Sequence, residues 1–224
     1  MKIADYISQA KITVSPRFDF QATDSYPDLV ELYKLALSKR GKEFQSDSQL
    51  LGNLKSVAKW IESGNTSLLL IGSPGTGKTI TTSVVKMYIE AQRGRNQYGV
   101  WIPEYCVGLF SASDLYNEAR ENKLSDKPKK VRYAAIDDLG SEPGATAKVF
   151  GADINPIIDI VHSRYNEQKV TILSSNLSMT EIEKAYGARF ADRLYEQYDR
   201  VIFNYDSFRR AKSAPVERNY QADF

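Results

Sequence analysis

Apolar positions along the chain follow two periods. Between residues 27 and 40, Leu29, Leu32, Tyr33, Leu35 and Leu37 recur at helical spacing, with Pro27 at the start and Gly41 just past the end. That punctuation predicts an amphipathic helix over 27–40. A second helix is predicted over 47–63, with Leu50, Leu51, Leu54, Val57, Ala58 and Ile61 on its apolar face and Trp60 beside that face. Short, mainly apolar runs at 66–71, 107–110, 131–136, 170–173 and 201–203 read as strands.

Between these runs, helical patterns are predicted over five further stretches. One covers 79–93, carrying Ile80, Val84, Met87 and Tyr88, and one covers 113–122, capped by Ser113. A third covers 152–166, carrying Ile154, Ile157, Ile158, Val161 and Tyr165. A short helix over 181–186 and another over 188–197 follow. Turn-rich or charged stretches at 93–99, 123–130 and 140–150 are expected to be loops, and Pro103 breaks the apolar stretch before the strand at 107–110. Strands alternating with helices predict an α/β fold with a parallel sheet covered on both faces, and with chemistry at the strand C-termini. The expected division is an N-terminal arm and helix over 1–45, one α/β domain over 46–210 and a polar tail over 211–224.

Composition narrows the function classes. A net charge of +2 over 224 residues gives no global polyelectrolyte signal, so any nucleic-acid surface must be a local patch. Cys106 is the only cysteine and His162 the only histidine, which excludes a disulfide framework and histidine- or cysteine-based metal sites. His162 is expected to be a structural helix residue. No apolar run approaches a membrane span, and the first residues lack a signal-peptide apolar region, so a cytoplasmic location is expected.

The run Gly72-Ser73-Pro74-Gly75-Thr76-Gly77-Lys78-Thr79 changes the picture most. It has the G-x-x-x-x-G-K-[ST] spacing of a phosphate-binding loop, between a predicted strand and a predicted helix. Glycines there let backbone N–H groups approach phosphate oxygens, and the helix N-terminus adds partial positive charge. Lys78 supplies an ammonium for the β- and γ-phosphates, and Thr79 a hydroxyl for Mg2+. The strand over 131–136 runs into Asp137-Asp138. In such a pairing the first carboxylate positions Mg2+ and the second orients or deprotonates the attacking water.

With the loop and the Ile136-Asp137-Asp138-Leu139-Gly140 run stand three further features. These are the strand ending in Ser174-Ser175-Asn176, the Arg189-x-x-x-Arg193-Leu194 helix, and Asp206-Ser207-Phe208-Arg209. Together, over about residues 45–210, they resemble the AAA+ P-loop NTPases of the DnaC/IstB group, bacterial helicase loaders and transposition helper ATPases. The resemblance implies ATP and Mg2+ as ligands, with Gly72 to Thr79 cradling phosphate. It implies Asp137 as the Walker B carboxylate and Asp138 where many AAA+ proteins have a catalytic Glu. It further implies Asn176 as sensor 1, Arg193 as an arginine finger reaching a neighbouring subunit (Arg189 being a second candidate), and Arg209 as a sensor 2 arginine. Because such a finger acts in trans, an isolated monomer is expected to hydrolyse ATP slowly.

The expected function is that of a DnaC-like, ATP-driven switch in DNA replication, self-assembling through ATP on DNA or a replicative helicase. The alternative is an IstB-like helper that regulates a transposase. A binding-only ATP module and a small P-loop kinase stand behind these two. Candidate DNA contacts, to single strands as the resemblance implies, are Arg93, Arg95, Lys123, Lys127, Lys129, Lys130, Arg132, Arg209, Arg210, Lys212 and Arg218, with Tyr98, Trp101 and Tyr105 available to stack on bases.

Overall fold

The computed structural model describes residues 18, 20–64, 66–93, 98, 100, 102, 106–143, 147–149 and 152–204. Two helices lead, α1 (Ser25–Ser38) and α2 (Ser48–Ser63), then β1 (Ser67–Gly72) and α3 (Lys78–Arg93). Next come β2 (Val107–Ser111), α4 (Ala112–Arg120), a single helical turn α5 (Lys127–Lys130) and β3 (Tyr133–Leu139). A small hairpin, β4 (Ala147–Val149) with β5 (Ala152–Ile154), precedes α6 (Pro156–Asn166) and β6 (Val170–Ser175). The described chain closes with α7 (Met179–Tyr186), α8 (Ala188–Gln197) and β7 (Tyr198–Phe203).

Five strands form one sheet in the order β2-β3-β6-β1-β7, and every pairing is parallel. Side chains alternate between two cores, as the period of a strand requires. Leu68, Leu70, Tyr133, Ala135, Ile172, Val201 and Phe203 face a cluster built with α1, α2 and α3. Leu69, Ile71, Ile136, Leu173 and Tyr198 face the other, built with α4, α6, α7 and α8. The expected parallel sheet with helices on both faces is therefore what the chain forms.

The N-terminal helix packs into the first core rather than standing off it. Leu29 and Tyr33 of α1 are buried there. Glu62 of α2 accepts hydrogen bonds from the Ser25 backbone N–H and hydroxyl, each at 2.9 Å. Phe18 lies within ring contact of Trp60 and Tyr133. Asp47 caps α2 by accepting from the N–H groups of Gln49 and Leu50 at 2.9 Å. Trp60, which spacing puts beside the apolar face, is fully buried. Its indole N–H donates to the Thr66 carbonyl at 3.0 Å, so the one polar edge of the ring is satisfied.

Four local expectations are corrected. The stretch 140–150 is not all loop, because Ala147–Val149 pairs antiparallel with Ala152–Ile154. Consequently α6 begins at Pro156, later than the apolar pattern suggests, with Asn155 Oδ1 accepting from the Ile158 N–H at 2.9 Å as its cap. The cap of α4 is Ser111, not Ser113; its hydroxyl accepts from the Asp114 N–H at 3.4 Å. The charged stretch at 123–130 contains the turn α5, anchored by the buried Pro128.

At the N-terminal ends of β3 and β6 sits Arg164, a fully buried arginine of α6. It donates to the carbonyls of Pro128, Val131, Arg132 and Val170 and to the Thr171 hydroxyl, at distances of 2.6–3.1 Å. Burial draws its guanidinium down to about 10, still charged at neutral pH.

Candidate nucleotide site at the strand tips

β1 delivers its chain to the centre of the sheet's C-terminal edge, where the glycine run turns into α3. Gly77 has φ +98°, a conformation that glycine adopts without strain. At Gly72 the demand is steric, since a Cβ would meet the Phe203 carbonyl oxygen at 2.4 Å. Lys78 is the first residue of α3 and is buried. Its ammonium donates to the carbonyls of Gly72 (2.6 Å) and Ser73 (2.9 Å) and to Asn176 Oδ1 (2.8 Å). Thr79 is exposed on the first turn of the same helix. Thr76 braces the loop by donating to the Ser73 carbonyl at 2.8 Å.

Asn176 follows the tip of β6, the strand between β1 and β3. Sheet order thus brings together three motifs that are far apart in sequence: the glycine loop, Asn176 and the carboxylates of β3. Those carboxylates lie on an irregularity. Ile136 pairs with Leu173 but Leu139 pairs with Ser175, so β3 carries one extra residue there. Asp138 sits on this bulge with φ +58°, and its side chain is exposed at the pocket. Asp is among the few residue types that tolerate this left-handed region, which gives a physical reason for a short carboxylate at this position. Asp137 is half-buried and accepts a hydrogen bond from the Ser174 hydroxyl.

A cavity of about 330 Å³ opens between the loop and the N-terminal helices. Pro74, Gly75, Gly77, Lys78, Thr79, Asp138 and Asn176 form its polar end. Its apolar lining is Tyr33 and Leu37 of α1, Leu50 of α2 and Ile80 of α3, and Arg40, Lys42, Glu43 and Gln45 from the α1–α2 connection line it as well. None of these wall residues was expected from sequence, apart from being helix or loop positions. Burial pushes the Tyr33 hydroxyl up to about 12, with Arg40 pulling against that shift.

The candidate finger residues lie on α8, away from this cavity. Arg193 is half-buried with its guanidinium over the Tyr165 ring at 5.3 Å, while Arg189 is exposed. The turn after Asp138 reaches toward this helix pair: Glu142 accepts from the Gly140 N–H at 2.9 Å and from the Tyr186 hydroxyl at the end of α7. Burial, reinforced by that carboxylate, holds the Tyr186 phenol well above its ordinary value. Arg209, Arg210, Lys212 and Arg218 lie outside the described residues, as do Arg95, Trp101 and Tyr105. In the basic stretch, Lys129 pairs with Asp159, and Lys130 pairs with Asp126 at 3.2 Å. Lys123 pairs with Glu121 at 2.8 Å. Tyr98 is 79% exposed.

The chain is similar in fold to several solved proteins. It matches the DnaC helicase loader with a TM-score of 0.53 at 20% identity, covering 76% of this chain and 97% of that one. It matches DnaI with a TM-score of 0.52 at 22% identity, covering 77% and 93%. AMPPCP-bound DnaA from Aquifex aeolicus follows at 0.51 and 16% identity, covering 70% of this chain and 48% of that one. This is the AAA+ fold of the P-loop NTPases. No family model matches the chain. Two curated relatives match in sequence. Replication-associated recombination protein A of Haemophilus influenzae is 24% identical over 180 residues, which is 75% of this chain and 37% of the relative. The uncharacterized protein YqaM of Bacillus subtilis is 26% identical over 172 residues, which is 75% of this chain and 49% of the relative. The chain thus spans less than half the length of either.

The side chains here that could hold a cation offer hard oxygens, the Thr79 hydroxyl and the Asp137 carboxylate. Among the described residues no cluster of three or more His, Cys, Asp or Glu could cage a metal alone. One or two protein oxygens with phosphate and water completing the shell is the donor set that suits Mg2+. Bound there, Mg2+ would neutralise charge on the β- and γ-phosphate oxygens. Among the described residues no helix is long and apolar enough to cross a membrane.

Proposed function

We propose that this protein is an ATP-binding and ATP-hydrolysing AAA+ switch of DNA replication, acting as a DnaC-like helicase loader. The observation that carries the reading is the hydrogen bond from Lys78 Nζ to Asn176 Oδ1 at 2.8 Å, beside a pocket that Asp138 also lines. An ammonium, an amide and a carboxylate at one sheet edge support γ-phosphate chemistry there. The loop N–H groups and Lys78 hold the phosphates, and the apolar wall of Tyr33, Leu37, Leu50 and Ile80 takes the base. Asp138 orients a water and accepts its proton as the oxygen bonds to the γ-phosphorus. The bond to the β–γ bridging oxygen then breaks, releasing ADP and phosphate. Asn176 senses the γ-phosphate by exchanging its bond to Lys78 for one to the nucleotide.

Arg193 serves the neighbouring subunit's site in an ATP-closed assembly, with Arg189 as a second contact and Arg209 as the cis sensor. Likeness in fold to a helicase loader supports a replicative helicase as the partner. Single-stranded DNA is the proposed track, reached through basic side chains outside the paired lysines of the 123–130 stretch.

The test is ATP turnover with and without single-stranded and double-stranded DNA, with mass measured by light scattering in the same samples. DNA and ATP should together raise both mass and rate. Lys78→Ala should abolish both effects, and Arg193→Ala should remove the assembly-dependent part of turnover, about 10³-fold or more for a finger in trans. Binding of ATP with no change in mass or rate under any condition would leave a binding-only module.

A further inference from the structure

The bulge in β3 leaves two residues opposite one. With Ile136 paired to Leu173 and Leu139 to Ser175, both Asp137 and Asp138 face Ser174. Ser174 is 1% exposed, and its single hydroxyl serves both of them. It donates to the Asp137 carboxylate and accepts from the Asp138 backbone N–H at 3.0 Å. A hydroxyl has one proton, so the polarity of this bridge is fixed: the proton goes to the carboxylate and a lone pair takes the N–H. That N–H belongs to the residue with φ +58°, which the ladder hydrogen bonds of a regular strand would not serve.

We infer that Ser174 is a positioning residue for the phosphate chemistry. It sets the orientation of the Asp137 carboxylate and, through the Asp138 backbone, the left-handed turn that brings the Asp138 carboxylate to the pocket. The next residue does a different job. Ser175 donates to the Leu139 carbonyl at 2.7 Å and accepts from the Leu177 N–H at 3.0 Å, touching neither carboxylate. Two adjacent buried serines therefore separate function from fastening, and Ser175 is the internal control. The assignment rests on the ATP reading above.

The experiment compares wild type, Ser174→Ala, Ser174→Thr and Ser175→Ala in four readouts: melting temperature, ATP affinity without metal, the gain in ATP affinity on adding Mg2+, and the Mg2+ dependence of turnover. For Ser174→Ala, metal-free ATP affinity should stay within about 2-fold, because the glycine loop is untouched. The Mg2+-dependent gain should shrink and the apparent Mg2+ requirement rise, with kcat falling roughly 10- to 100-fold, the usual size of losing a group that orients a metal ligand. Ser174→Thr keeps the hydroxyl and should recover most of both. Ser175→Ala should lower the melting temperature and leave the Mg2+ dependence of wild type. Unchanged Mg2+ dependence and kcat in Ser174→Ala would overturn the assignment while leaving the ATP reading intact. So would equal losses of melting temperature and rate in both alanine variants without rescue by threonine. Failure of the wild type to bind ATP would end the ATP reading, and the assignment with it.

Discussion

β3 and β6 are tied together at both ends by buried polar side chains, and the two ties differ in kind. At the N-terminal ends, Arg164 spends its donors on four backbone carbonyls and one hydroxyl, all held by the fold itself. At the C-terminal ends, Lys78 is held by two loop carbonyls and the side chain of Asn176, and Asp137 and Asp138 hang on one serine. The first arrangement can change only by unfolding. On the ATP reading proposed above, the second includes side-chain partners that a phosphate or a cation would replace. One sheet thus carries a closed set of partners at one end and, at the other, a set in which the Asn176 side chain stands among the acceptors.

The largest expected effect tests the rigid end. Arg164→Ala strands several buried carbonyls and opens a cavity, at a cost of about 4 kcal/mol or more. In a chain of this size the melting temperature should drop by roughly 8–16 °C, with ATP affinity of the remaining folded protein little changed. A loss of ATP affinity comparable to the loss of stability would collapse the distinction between the ends.

The exchangeable end should show the reverse. Asp138→Asn keeps the shape and the tolerance for positive φ, so melting should shift by no more than about 2 °C while turnover falls about 10²- to 10⁴-fold. A large melting shift in this variant would mean that the carboxylate is structural.

Tyr33 tests how dry the apolar wall of the pocket is. Its hydroxyl, raised to about 12, holds its proton more tightly in the folded chain than in the unfolded one. Its contribution is therefore fully present below about pH 10, where the unfolded tyrosine begins to titrate, and is lost as pH rises toward 12. The loss over that window should approach roughly 2–3 kcal/mol, and Tyr33→Phe should flatten it in alkaline unfolding curves. An unchanged slope would show that the wall admits water and hydroxide as the open end does.

The smallest effect isolates strain. Asp138→Ala places a residue with no local hydrogen-bonding side chain at φ +58°, and should be about 1 kcal/mol less stable than Asp138→Asn. Equal melting temperatures would remove the strain argument for the short carboxylate.

How much of this could be read from the residues depends on range. The glycine loop, its strand and its helix are neighbours in sequence and were legible as a unit. The positions of Asn176 and the Asp137-Asp138 pair were legible only through their motif context, because strand order is what brings them to Lys78. The pocket wall was not legible at all: Tyr33 and Leu37 looked like ordinary core positions of an amphipathic helix. The β4–β5 hairpin has strands of three residues, too short for alternation to register. The bulge left no mark either, since two adjacent carboxylates look the same on a regular strand end. Arg164 did leave one. With Ile157, Ile160 and Val161 it completes the buried stripe of α6, and a charged residue on such a stripe signals a committed set of acceptors.

The strand order also sets a timetable for the newborn chain. β1 has no hydrogen-bonded neighbour until β6 and β7 exist, and Ser67 and its partner Thr171 are 104 residues apart. At about 5–20 residues per second of synthesis, the apolar segment from Ser67 to Gly72 waits on the order of 5–20 s before either flank can be covered. The helices α1, α2 and α3 are all made earlier, and their shared core with Phe18 can shelter one face of that segment in the interval.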